Sequence, residues 1–279
     1  MDSTPVSSVC SYWTGVSCSD SIVTAIVFDL YGYTSVSGTI PSSVGYLSAL
    51  NSLQITNANL GGTIPTSLAL LVSLTSLDLH RNCLSGSIPS AVFTLPLLLF
   101  LELYYNKLTS SLPTSLADGL NSIISLDLSS NGLVGSIPSD LCHGQANFLE
   151  LHLQGNSLTN SVPSSLALCA SLTGLDVSSN QLHGQIPSEL NTMQYLQTFS
   201  IASNSFSGSV PDLSGSVSSL RNVYLELNSG LVGSIPSSLC SAGHLSTFYV
   251  YGSGLTCYPS CLTSVQYNDF SSMQSICAY

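Results

Sequence analysis

Ten of the twelve prolines recur at a near-constant interval. They are Pro41, Pro65, Pro89, Pro113, Pro138, Pro163, Pro187, Pro211, Pro236 and Pro259, spaced 23 to 25 residues apart. The text around them recurs too, as SGTIPSS, GGTIPTS, SGSIPSA, VGSIPSD, SGSVPDL and VGSIPSS. Upstream lies a second motif: LDLHRNCL (77–84), LELYYNKL (101–108), LDLSSNGL (126–133), LHLQGNSL (151–158) and LDVSSNQL (175–182). A unit of this length cannot bury its own apolar side. A fixed short period therefore means coils that stack on one another and share a continuous core.

Each recurring residue has a physical task. The paired apolar positions, Leu77 and Leu79 for example, alternate inward from a short strand. Strands of successive coils then lie about 4.8 Å apart as a parallel sheet. The column Asn82, Asn106, Asn131, Asn156, Asn180, Asn204 and Asn228 has amide donors and acceptors for the backbone where each coil leaves its strand. It frays at the ends, with Ala58 in an early coil and Ser253 in the last. Apolar residues three apart after a proline (Val44, Leu47, Leu50) suit short 3₁₀ turns on the opposite side. The expected organisation is an N-terminal cap at 1–26, about ten coils over 27–256 and a C-terminal cap at 257–279.

The pattern L-x-L-x-x-N-x-L with G-x-I-P is a leucine-rich repeat. It resembles the plant-type extracellular leucine-rich repeat proteins, among them receptor-kinase ectodomains and polygalacturonase-inhibiting proteins. The segment Cys10-Ser-Tyr-Trp13-Thr-Gly15-Val16-Ser-Cys18 resembles that family's N-terminal cap, without its longer helical lead-in. The resemblance implies an α/β solenoid, a right-handed horseshoe with a parallel concave β-sheet, second short strands and convex 3₁₀ turns. It also implies non-catalytic recognition of a protein, peptide or glycan through the concave face. Inhibition of secreted cell-wall-degrading glycosidases is an alternative within the same resemblance.

Composition narrows the function. Only 6% of residues are charged, three Lys+Arg stand against fourteen Asp+Glu, and the formal charge is −11. With Arg81, Lys107 and Arg221 as the only strong cations, no patch neutralises phosphates, which excludes nucleic acid and a polybasic membrane surface. The solubilising groups are instead 57 Ser and 19 Thr. The longest apolar run, Leu95 to Leu103, is interrupted by Pro96 and Glu102, so no segment reaches the ~20 residues of a spanning helix. Met1-Asp-Ser-Thr-Pro lacks the regions of a secretory signal. A secreted or cell-surface reading therefore expects a removed signal or a longer parent chain.

Nine cysteines imply an oxidising compartment if the ends are closed by bridges. The expected pairs are Cys10–Cys18, and Cys240–Cys261 with Cys257–Cys277. Cys83, Cys142 and Cys169 read as buried or half-buried thiols. Cys257-x3-Cys261 lacks the second ligand pair of a metal site, and neither metal nor cofactor is expected.

Outward strand residues carry the candidate site. Placed between the inward residues, the column reads Asp29, Gln54, Asp78, Glu102, Asp127, His152, Asp176, Ser200, Glu226 and Tyr249, an anionic stripe that would steer a cationic or hydroxyl-rich partner. Aromatic residues gather in two groups: His80, Arg81, Phe100, Tyr104 and Tyr105, then Tyr224, Tyr249 and Tyr251, with Tyr224 placed in the column before the inward pair. Tyr and Arg dominate binding energies at interfaces. Binding is thus expected through His80, Arg81, Phe100, Glu102, Tyr104, Tyr105, Asp127, His152, Asp176, Tyr224, Glu226, Tyr249 and Tyr251. The x of G-x-I-P (Thr39, Thr63, Ser87, Ser111, Ser136, Ser161, Gln185, Ser209, Ser234) forms a second array, a hydroxyl ladder suited to ice. No H-E-x-x-H, G-x-S-x-G or G-x-G-x-x-G occurs, and an enzyme is not expected. His143, His183 and His244 read as solvated, and Trp13 as packing over the first coil.

Overall fold

The computed structural model describes residues 10, 13–32, 37–113, 122–142, 147–270 and 275–276. The chain divides into two compact units, Met1–Gly132 and Leu133–Tyr279. Each is a stack of leucine-rich-repeat coils.

In the first unit, Val16–Ser19 pairs antiparallel with Ile22–Asp29. Parallel strands follow at Ser52–Thr56, Ser76–Asp78, Phe100–Glu102 and Ser125–Asp127. Their register matches Leu53 with Leu77, Leu77 with Leu101 and Leu101 with Leu126. Those four leucines, with Leu79, Leu103 and Leu128, are at most 1% exposed. Each buried leucine is worth about 1.5–3 kcal/mol of transfer free energy.

Prolines open the opposite side of the coil. Pro41, Pro65 and Pro89, extended with φ between −60° and −73°, precede the 3₁₀ turns Ser42–Tyr46 and Thr66–Leu70 and the α-turn Ser90–Phe93. Proline fits there because its φ is fixed near these values and the N–H it lacks would have no partner. Between sheet and turn, Gly38–Thr39 pairs with Leu60–Gly61, and Ser85–Gly86 with Lys107–Leu108.

The second unit repeats the scheme. Its parallel strands are Glu150–His152, Gly174–Asp176, Thr198–Ser200, Asn222–Tyr224, Thr247–Tyr249 and Tyr267–Asp269. Its 3₁₀ turns include Ser164–Leu168, Ser188–Thr192, Ser237–Ser241 and Ser260–Ser264. Phe199, Phe206 and Phe248 replace leucine in the core, each fully buried.

The asparagine column behaves as its chemistry requires. Asn180 Oδ1 accepts the Leu158 N–H of the preceding coil at 3.0 Å, while its Nδ2 donates to the Leu153 and Val177 carbonyls. Asn82, Asn106, Asn204 and Asn228 repeat this pattern. The asparagine of each such coil thus completes the turn of the coil before it. Immediately upstream the backbone is left-handed: Arg81, Tyr105, Ser130, Ser179, Ser203 and Leu227 have φ of 52° to 57°. For a residue with a Cβ this conformation costs about 1–2 kcal/mol, which the buried amide contacts offset.

Three disulfides are formed among the described residues: Cys10–Cys18, Cys142–Cys169 and Cys240–Cys261. Cys142 and Cys169, 1% and 0% exposed, are therefore bridged, not thiols as the sequence reading held. They lie four and six residues after Pro138 and Pro163, in the turns of coils one repeat apart, where the two sulfurs meet. Cys257 is also disulfide-bonded, and its expected partner Cys277 lies outside the described residues. Cys83 is a free, half-buried thiol. Trp13 departs from expectation: its side chain is 61% exposed and borders an open apolar hollow with Val16, Ile22, Tyr46 and Leu47. His183 and His244 are exposed as expected, and His143 lies outside the described residues.

Candidate ligand-binding faces of the sheet

Alternation along the strands gives each unit an inward set of apolar residues and an outward set that faces solvent. In the first unit the register sets the column between the inward pair as Val27, Gln54, Asp78, Glu102 and Asp127. Asp29, assigned to this column from sequence, instead pairs with Thr56 two positions further on. In the second unit the column reads His152, Asp176, Ser200, Tyr224, Tyr249 and Asp269. Here Tyr224 takes the place assigned to Glu226, because Val223 and Leu225 are the inward pair. Glu226 stands two residues later.

The first unit gathers an aromatic and charged cluster on adjacent coils. The His80 ring stacks on Tyr104 with centroids 4.3 Å apart and planes 6° from parallel. Tyr105 meets Tyr104 edge-on at 5.9 Å, and the Arg81 guanidinium sits 4.9 Å above the Tyr105 ring. Such stacked and cation–π pairs hold the rings in place, with Tyr105 exposed and His80 and Tyr104 half-buried. Arg81 and Tyr105 both occupy the left-handed position, which Ser130, Gly155, Ser179, Ser203 and Leu227 take in other coils. Strain borne by large exposed side chains is a feature of functional surfaces.

Asp78 fixes the histidine. Its Oδ1 lies 2.6 Å from His80 Nδ1 and also accepts the His80 backbone N–H at 3.2 Å. Burial, then the charges of Glu102, Asp78 and Asp127, push the Tyr104 phenol above its ordinary pKa, so it remains a neutral hydroxyl donor. Phe100, 39% exposed, lies two residues before Glu102 in the preceding column. Asp127 is the register partner of Glu102, but its Oδ1 accepts the Ser129 backbone N–H at 2.9 Å. Nearer the cap, the Asn57 amide and the Tyr31 backbone N–H hold Asp29 below the usual carboxylate range.

The second unit carries two smaller groups. Tyr224 and Tyr249 tilt against each other at 5.8 Å, and burial raises the Tyr224 pKa. Tyr251, 39% exposed, lies two residues beyond Tyr249. Burial, then Asp176 and Asp269, raises the Glu226 carboxyl, and its Oε2 is buried without a hydrogen-bond partner. Separately, His152 lies 3.4 Å from Glu150, which also accepts a bond from Thr173; the histidine and then the threonine lower its pKa against the effect of burial. Gly174 leaves the space that the Glu150 carboxylate occupies. Asp176 is the register partner of His152.

Two residues of the first cluster were not singled out as site members from sequence: Asp78, which orients His80, and Asn57, which anchors Asp29. The spacing of Asp78 and His80, two apart on one strand, carries the signal for the former. The x positions of G-x-I-P, from Thr39 to Ser234, are exposed at all nine places. The Thr39 and Thr63 methyls lie against Gly62 and Gly86 of the following coil.

Comparison with known proteins places these features. The Leucine Rich Repeat family profile matches residues 73–95, 122–143 and 171–193. No curated protein sequence gives a match. Among solved structures the chain is similar to the leucine-rich-repeat ectodomain of the plant membrane receptor kinase GASSHO1/SCHENGEN3 from Arabidopsis thaliana, in complex with CASPARIAN STRIP INTEGRITY FACTOR 2. Identity there is 33% over 97% of this chain and 32% of that chain, with a TM-score of 0.83. For the Arabidopsis receptor kinase HAESA ectodomain with an IDA peptide hormone ligand, the values are 30%, 83%, 42% and 0.68. A plant ice-binding protein gives 26% identity over 96% of this chain and 89% of that one, with a TM-score of 0.79. The chain thus spans less than half the length of the two receptor ectodomains. Among the described residues, no helix is long and apolar enough to cross a membrane. With the repeat period, the asparagine column and the coil register, these matches make the chain a leucine-rich-repeat protein similar in fold to plant receptor-kinase ectodomains.

Proposed function

We propose that the protein is an extracellular recognition module that binds a peptide or protein segment on the sheet face of its first unit. The observation that carries this reading is the ring cluster His80–Tyr104–Tyr105 with Arg81, half-exposed and held on neighbouring coils. Strands backed by a packed core present these groups with little ordering cost on binding. Asp78 and Glu102 beside the rings, on a chain of net charge −11, favour a ligand segment with a Lys or Arg side chain. The receptor ectodomains similar to this chain, in structures with CASPARIAN STRIP INTEGRITY FACTOR 2 and an IDA peptide hormone, support the ligand class. Disulfides support an oxidising, extracellular setting.

Affinity capture from the extracellular fraction of the source cells, with wild type beside Tyr104→Ala/Tyr105→Ala, tests it. The captured partner should bind the double variant with about 2 kcal/mol less free energy, roughly 30-fold more weakly. The thermal unfolding of the variant should match wild type, because both rings lie at the surface. Equal affinity for the two proteins would remove the first-unit face as the binding site.

A second reading, ice binding, is favoured by the exposed Ser/Thr column and by the similarity over 89% of a plant ice-binding protein. It expects faceted ice crystals that persist in Tyr104→Ala/Tyr105→Ala and are lost when Thr39 and Thr63 are both replaced by lysine. Unshaped ice growth with wild type ends that reading.

A further inference from the structure

We infer that Asp78, His80 and Glu102 form a binding site for one divalent metal ion of the zinc class. The inference goes beyond peptide recognition and does not depend on it. Asp78 and Glu102 are direct register partners on adjacent strands, and His80 stands two residues after Asp78 on the same sheet face. One ligand atom from each lies within 4.8 Å of the other two. Around a tetrahedral ion with bonds of about 2.0–2.2 Å, ligand atoms sit roughly 3.3–3.6 Å apart, so side-chain rotation without strand movement closes the site.

Three further features suit a metal. The Asp78 and His80 side chains are only 15% and 16% exposed, so the carboxylate and the imidazole meet in a partly dehydrated setting where a cation is held more strongly than in water. The Tyr104 ring lies parallel to His80 and restrains the plane of the imidazole. The group of ligand atoms is limited to Asp78, His80 and Glu102, and three protein ligands leave a fourth position of a tetrahedral site for water or a ligand group. Imidazole nitrogen with two carboxylate oxygens and no thiolate selects zinc and its neighbours over calcium, which takes six to eight oxygens. In the metal-free protein His80 and Asp78 contact each other directly at 2.6 Å. An ion bound at Nδ1 takes the place of that contact, and the neutral imidazole then carries its one proton on Nε2.

Isothermal titration of the whole chain with zinc alone, after chelator treatment, tests the site. The expected result is one saturable event per chain, weakened at least about tenfold in Glu102→Gln and in His80→Ala. Glu102→Gln keeps the shape of the side chain, so its unfolding in metal-free buffer should match wild type even if His80→Ala loosens the Tyr104 stack. Cys83→Ser and His152→Ala should leave the titration unchanged, which separates this site from the free thiol and from the Glu150–His152 pair. The inference is overturned if zinc does not saturate wild type, if Glu102→Gln binds it equally well, if Cys83→Ser abolishes binding, or if calcium binds in preference.

Discussion

Replacing Asn228 with alanine is expected to destabilise the second unit by about 4 kcal/mol. The side chain is fully buried, accepts the Phe206 N–H at 3.0 Å and donates to the Ile201 and Leu225 carbonyls. Alanine fills neither role, and each buried group left without a partner costs about 1–3 kcal/mol. The left-handed Leu227 beside it also loses the contacts that hold its φ of 57°. Hydrogen exchange is the discriminating measurement, because coils that contact only their neighbours need not unfold together. Protection of the Phe206 amide should fall far more than that of Leu158, which depends on Asn180. A loss of about 1 kcal/mol or less would mean that the column is not what closes the turns.

The double replacement Cys142→Ala/Cys169→Ala is expected to cost about 3 kcal/mol. The bridge closes a separation of 27 residues, for which the chain-entropy relation gives about 3.5 kcal/mol. Both positions are buried, so alanine leaves space in the core but strands no polar group. Thermal unfolding in oxidising buffer should show the drop, whereas a strong reductant should bring wild type towards the variant. If the variant melts with wild type, the bridge is dispensable and the burial of the two sulfurs accounts for their presence.

How far the sequence carried the fold depended on how well each coil kept the repeat. Among the described residues the inward apolar side chains, the asparagine amides and most of the proline-led turns stand where the spacing puts them, because each is fixed by contacts to a similar neighbour. The departures lie where a coil changes its wording. In the coil of Asn228, the tripeptide Leu225-Glu226-Leu227 resembles the inward pair, yet counting back five from the asparagine gives Val223. That shift moved Tyr224 into the central column and Glu226 out of it. Asp29 was misplaced for a related reason: its coil has no asparagine from which to count. The Cys142–Cys169 pair was hidden because the two cysteines stand at different offsets, four and six residues after Pro138 and Pro163, so the repeat does not align them. The contacts among His80, Tyr104, Tyr105 and Arg81 depend on rotamers, which no spacing rule supplies.

The direction of the asparagine contacts has a consequence for synthesis. A coil's turn is closed by an amide from the coil that follows, 22 or 23 residues further along the chain. A nascent coil emerging from the ribosome is therefore incomplete until its successor appears. At about 5–20 residues per second the wait is roughly 1–4 s for every coil. Its backbone donors are open to water and to other chains during that interval. A pause between coils prolongs that exposure for the last coil made, while a pause after an asparagine has docked leaves the earlier coils closed.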